Sequence, residues 1–115
     1  MGAEQFDHIG RGKTVQEAFD NAVKEAQYDY GHAGYTGTIA EKDSFVEVPF
    51  SDDFTHIEVY QALSNSIHGP TDALVEILGD KAEFFFNAYD DKWGPCVAIR
   101  TPEKNEWLFC GWASC

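Results

Sequence analysis

The spacing of apolar positions changes several times along this chain, and each change marks an element. Residues 4–9 (Glu4, Gln5, Phe6, Asp7, His8, Ile9) predict a short strand that ends at Gly10, Arg11 and Gly12. Then Val15, Ala18, Phe19, Ala22, Val23, Ala26 and Tyr30 recur at three- and four-residue spacing. A stripe of that period is the core-facing side of an amphipathic helix, here over 14–30. Thr14 and Glu17 stand in capping-box register at its start. Gly31 follows as a residue that accepts the left-handed backbone at a helix end.

Beyond it, 38–42 and 45–48 predict strands, the second closed by Pro49. Thr55 and Glu58 form a second capping-box pair. Ile57, Tyr60, Leu63 and Ile67 suit a helix that stops before Gly69 and Pro70. Thr71 caps a short helix over 72–78, which Gly79 stops. The last third predicts a meander of strands at 82–89, 96–101 and 107–112, rich in aromatic and β-branched residues. The alternative for 83–89 is continuation of the preceding helix. The expected fold class is α+β: an antiparallel sheet of four to five strands with a C-terminal meander, packed against two to three helices. One acidic domain would span residues 1–115.

In that meander Phe84, Phe86, Val97, Ile99, Trp107 and Phe109 alternate with Phe85, Tyr89, Leu108 and Trp112. Side chains on a strand point to opposite faces, so both sheet faces are apolar. Either helices cover both faces, or one aromatic face serves a partner or a homodimer.

Composition narrows the function. A chain of 115 residues that is 43% hydrophobic and 15% aromatic is not a disordered acidic tail. A net charge of −12 disfavours direct contact with nucleic-acid phosphates and with anionic membranes. The start carries no basic, apolar signal, and no stretch reaches the ~20 apolar residues that span a bilayer. The expected location is the cytoplasm. Three cysteines, an odd number, suit reduced thiols better than a disulfide framework. Cys110 and Cys115 would pair only under oxidation; a buried, reduced Cys110 is the expectation.

The charge is regional. Between Asp43 and Asp80 stand eight carboxylates and no Lys or Arg. One account is a solubilising surface. The other is a nucleic-acid mimic that occupies a basic groove on a protein, with Glu47, Asp52, Asp53, Glu58, Asp72 and Glu76 as its members. Exposed aromatics such as Trp93, Trp107 and Trp112 would then supply desolvated anchors.

A second candidate is the Gly-rich loop at 31–38. Glycines let the backbone approach a small ligand or nucleotide, and His32, Gly34, Tyr35, Thr36, Gly37 and Thr38 offer hydrogen bonds and aromatic surface. The competing explanation is a helix cap and a tight connection. Gly12, Lys13 and Thr14 follow a strand as a P-loop would, but Asp7 stands where the first glycine is required. His8, His32, His56 and His68 have no metal-ligand spacing, no catalytic triad motif occurs, and no cofactor is expected.

At Gly34, Tyr35, Thr36, Gly37, Thr38 and Ile39 the chain resembles small open reading frames of phages and mobile elements. The same resemblance recurs at Lys92, Trp93, Gly94 and Pro95, and at Phe109, Cys110, Gly111 and Trp112. Small acidic proteins of that origin include inhibitors of host defence, of the anti-restriction and anti-CRISPR kind. The resemblance implies inhibition by binding and indicates no target. Joined with the acidic segment, it gives the expected function: a non-catalytic protein whose partner is a basic surface of a nucleic-acid-handling complex. It assigns no residue.

Overall fold

Two neighbouring parallel strands require a long crossover, and here the crossover carries three helices. The computed structural model describes residues 2–31, 34 and 36–115. Strand β1 (Ala3–Arg11), helix α1 (Val15–Tyr30), a 3₁₀ turn (Ile39–Glu41) and strand β2 (Phe45–Glu47) come first. Helices α2 (His56–Ser64), α3 (Asp72–Leu78) and α4 (Ala82–Asp90) follow, then strands β3 (Cys96–Arg100) and β4 (Glu106–Ser114). The sheet runs β1-β4-β3-β2, with β4 antiparallel to β1 and β3, and β2 parallel to β3. The fold is therefore α+β with an open, mixed four-stranded sheet, where an antiparallel one was expected. Parallel β2 follows from the chain between it and β3, which is spent on α2, α3 and α4.

Helices cover both sheet faces. On one side Phe6, Phe109 and Ala98 pack against Ala18, Phe19, Ala22 and Ala26 of α1. Phe19, Phe45 and Phe109 meet there with ring centroids 5.2 to 6.0 Å apart. On the other side Val97, Ile99, Leu108 and Cys110 pack against Leu63, Leu74, Phe85 and Tyr89 of α2, α3 and α4. Cys96, Val97, Ala98 and Ile99 are consecutively buried, as a strand enclosed from both sides must be. The aromatic residues of the C-terminal strands thus serve two cores within one chain. Gly10 lets α1 lie directly on β1: a Cβ there would stand 2.6 Å from the Ala18 carbonyl oxygen.

Local signals account for most boundaries. The Thr14 hydroxyl accepts from the Glu17 N–H, and Gly31 closes α1. Thr55 and Glu58 form the full reciprocal box at α2. Thr71 and Gly79 bracket α3.

Three expectations need correction. Residues 82–90 are α4, not a strand: Ala82, Phe85, Phe86 and Tyr89 make a buried stripe at helical spacing that outweighs the strand preference of an aromatic run. The meander therefore reduces to the β3–β4 hairpin, which β1 joins. The stretch 38–42 holds a 3₁₀ turn, Ile39–Glu41, capped by Thr38, not a strand. Helix α2 does end before Gly69, but at Ser64: it buries Val59, Ala62 and Leu63, leaves Ile57 exposed, and Ile67, also exposed, lies beyond it.

Candidate functional site

Two neighbouring hydroxyls, of Ser66 and Thr71, tie the end of α2 to the start of α3. Ser66 Oγ donates to the Ala62 carbonyl at 2.8 Å and accepts from the Thr71 N–H at 3.2 Å. Thr71 Oγ1 donates to the same Ala62 carbonyl at 3.3 Å while capping α3 through the Leu74 N–H at 3.1 Å. Beside this clasp lies a groove of about 310 Å³ between the helices. Ala62, Phe54 and Ile77 give it apolar surface, and Glu58 and Glu76 line it from α2 and α3 respectively. Its lining includes no Lys, Arg or His. Asp72 lies one helical turn before Glu76 and shares its face of α3, extending the negative field. Glu58 keeps its capping role there, its Oε1 accepting from the Thr55 N–H at 2.9 Å.

The other members of the acidic set lie elsewhere. Asp52 pairs with Arg100 at 3.3 Å, and the Arg100 guanidinium lies 4.9 Å from the Phe50 ring centre. A cation distant in sequence thus offsets part of a segment that has none of its own. Asp53 stays in the turn before α2, where Ser51 Oγ accepts from its N–H. Glu47 accepts from the Trp107 indole N–H at 3.0 Å. Trp107 and Trp112 lie on opposite faces of β4, packed against different cores. Trp93 is 63% exposed, with the Lys92 ammonium 5.2 Å from its ring centre. The nine residues expected to make one partner surface therefore fall into several places, and only Glu58, Asp72 and Glu76 gather on the α2–α3 side.

Of the loop candidates, His32 and Tyr35 lie outside the described residues. Thr36, Gly37 and Thr38 line a cavity of about 290 Å³ with Glu4, Phe6, His8 and Tyr30. Gly34 is not among them; it borders a smaller recess beside Glu41. The threonine hydroxyls are engaged within the loop. Thr36 Oγ1 donates to Glu41 Oε2 at 2.8 Å, the Thr36 and Thr38 hydroxyls are 2.8 Å apart, and Thr38 caps the 3₁₀ turn. The lining carries Glu4 and Asp7 and no Lys or Arg, a setting that repels a nucleotide phosphate. Gly37 is required where it stands: its φ is +71°, and a Cβ would lie 2.6 Å from Glu4 Oε2.

Sequence reasoning missed the apolar part of the groove, Phe54 and Ile77, which no charge pattern marks. It also missed Lys42, expected at the end of a strand. Lys42 is 3% exposed and donates to the main-chain carbonyls of Asp91 at 2.9 Å and Gly94 at 3.1 Å. Burial lowers its pKa. All three cysteines are free thiols; Cys96 and Cys110 are buried and Cys115 is exposed. Among the described residues no cluster of His, Cys, Asp and Glu is arranged to hold a metal ion. Among them, too, no helix is long and apolar enough to cross a membrane.

Comparison with protein-family models, with curated proteins and with solved structures finds no match for this chain.

Proposed function

We propose that this chain is a non-catalytic acidic binding protein of the cytoplasm that occupies a basic protein surface. In its sharpest form it inhibits a nucleic-acid-handling defence complex by standing in for the phosphates. The observation that carries this is the α2–α3 groove, in which Glu58 and Glu76 flank apolar surface and no cation lines the walls. Long-range attraction from the acidic field speeds encounter with a basic surface, and burial of a side chain against Phe54, Ala62 and Ile77 would hold the complex.

The test is capture from the native host with elution at rising salt, using wild type and a Glu58→Gln/Glu76→Lys double variant. Gln at position 58 can still complete the capping box, so α2 stays intact. Wild type should retain a basic partner at low salt and release it at high salt, and the double variant should retain none. Equal retention by both proteins overturns the assignment of the groove.

A further inference from the structure

Strand β1 lies at the end of the sheet, and its register shows which of its main-chain groups point outward. Gly2 and Cys115 exchange both backbone bonds, at 3.3 and 3.2 Å. In an antiparallel pair such doubly bonded positions alternate with positions whose N–H and C=O turn away from the partner. Residues Glu4, Phe6, His8 and Gly10 therefore face β4. Ala3, Gln5, Asp7 and Ile9 direct their amides and carbonyls to the open side. The far end agrees: the Gly12 N–H bonds to the Asn105 carbonyl at 3.1 Å, while the outward Arg11 carbonyl accepts from Asn21 Nδ2 at 2.9 Å. The outward main-chain groups of Ala3, Gln5, Asp7 and Ile9 have no partner among the described residues.

The cavity of about 290 Å³ is lined by residues 4–8 of the same strand, with Tyr30 of α1 and residues 36–39. The Gln5 side chain reaches Tyr89 and that of Asp7 reaches Tyr60, both on the α2–α4 face. Those two residues therefore border the cavity with main chain rather than side chain. Glu4, held beside Gly37, and His8, 3.8 Å from Glu25, lie on the α1 face of the same stretch.

We propose that the outer edge of β1 takes an extended, basic segment of a partner as a fifth strand, with a Lys or Arg of that segment reaching Glu4 in the cavity. Main-chain bonds to Gln5 and Asp7 give such a complex affinity without a fixed partner sequence. Charge selects the occupant: the carboxylates of Glu4 and Asp7 favour a cationic strand, and two chains of net charge −12 repel one another. This surface is separate from the α2–α3 groove, and it stands or falls independently.

The test is amide hydrogen exchange by NMR, with a capped decapeptide of alternating Lys and Thr as the probe. Saturating probe should slow exchange at Gln5 and Asp7 by about tenfold or more, as expected for amides that gain a strand partner. Glu4, Phe6 and His8, already bonded to β4, should not change. Methylating every second peptide nitrogen should abolish binding in one frame and spare it in the other. Glu4→Lys should weaken binding about tenfold, and the Glu58→Gln/Glu76→Lys variant should leave it unchanged. No protection at Gln5 and Asp7 at millimolar probe overturns the proposal. Protection that rises with protein concentration alone overturns it in favour of a second copy of the chain.

Discussion

The hydroxyl of Tyr60 donates to Oδ2 of Asp7 at 3.0 Å, a bond that ties α2, one wall of the acidic groove, to β1 and its open edge. Burial first, and then this bond, push the Tyr60 hydroxyl up to about 12. Tyr60→Phe keeps the ring and removes the bond. It should cost about 0.5–1.5 kcal/mol in urea denaturation, the range of an ordinary hydrogen bond. No measurable loss would mean that water replaces Tyr60 at Asp7 without cost.

Stability should fall in alkali. Burial raises Cys96 from 9.0 to about 12, and it raises Cys110 and Tyr89 as well. A group whose folded pKa is raised holds its proton in the native state after the unfolded chain has released it. Its contribution is complete below the unfolded value and is lost as pH climbs through the folded one. Lys42 has the opposite sign: its pKa is lowered, so its contribution increases as pH rises towards 10.5. With Tyr60, four groups against one set the direction, and the melting temperature should drop progressively from about pH 9. Cys96→Ala should flatten that fall while costing some stability at neutral pH. An unchanged slope would contradict the assignment to Cys96.

Lys42 anchors the turn before β3 through two carbonyls that belong to Asp91 and Gly94. Lys42→Met fills the same space and leaves those carbonyls unpaired, at a cost of about 1–3 kcal/mol. The loss should be accompanied by faster amide exchange through 91–95. A variant as stable as wild type would show that the desolvation of the ammonium cancels its bonds.

Thr71 both caps α3 and bonds back to the Ala62 carbonyl, whereas Thr14 only caps α1 at an exposed end. Thr71→Ala should therefore lose more than the ~1 kcal/mol typical of a cap, and Thr14→Ala about that amount. Thermal melting of the two variants side by side measures the difference. Equal losses would remove the clasp from the account of the groove.

The Thr caps of α1, α2 and α3 were legible because each depends on a residue only three positions away. Helix α4 was legible only as the alternative reading, since Phe84, Phe85 and Phe86 satisfy strand preference and helical spacing alike, and the buried stripe of Ala82, Phe85, Phe86 and Tyr89 decides between them. Lys42 was invisible because its two carbonyls lie 49 and 52 residues away. The acidic segment could be counted from the sequence, but its partition could not. Arg100 pairs with Asp52 across 48 residues, and the packing of α2 beside α3 brings Glu58 and Glu76 to one groove. The outward residues of β1 depend on register, which Gly2 and Cys115 set at opposite ends of the chain.

On the proposed reading, the α2–α3 carboxylates substitute for nucleic-acid phosphates on a basic partner. Competition between double-stranded DNA and this protein for the complex captured from the host tests it most directly. Each should displace the other, the exchange should weaken steeply with salt, and Glu58→Gln/Glu76→Lys should no longer displace DNA. A complex that binds protein and DNA together, or a double variant that competes as well as wild type, would contradict it.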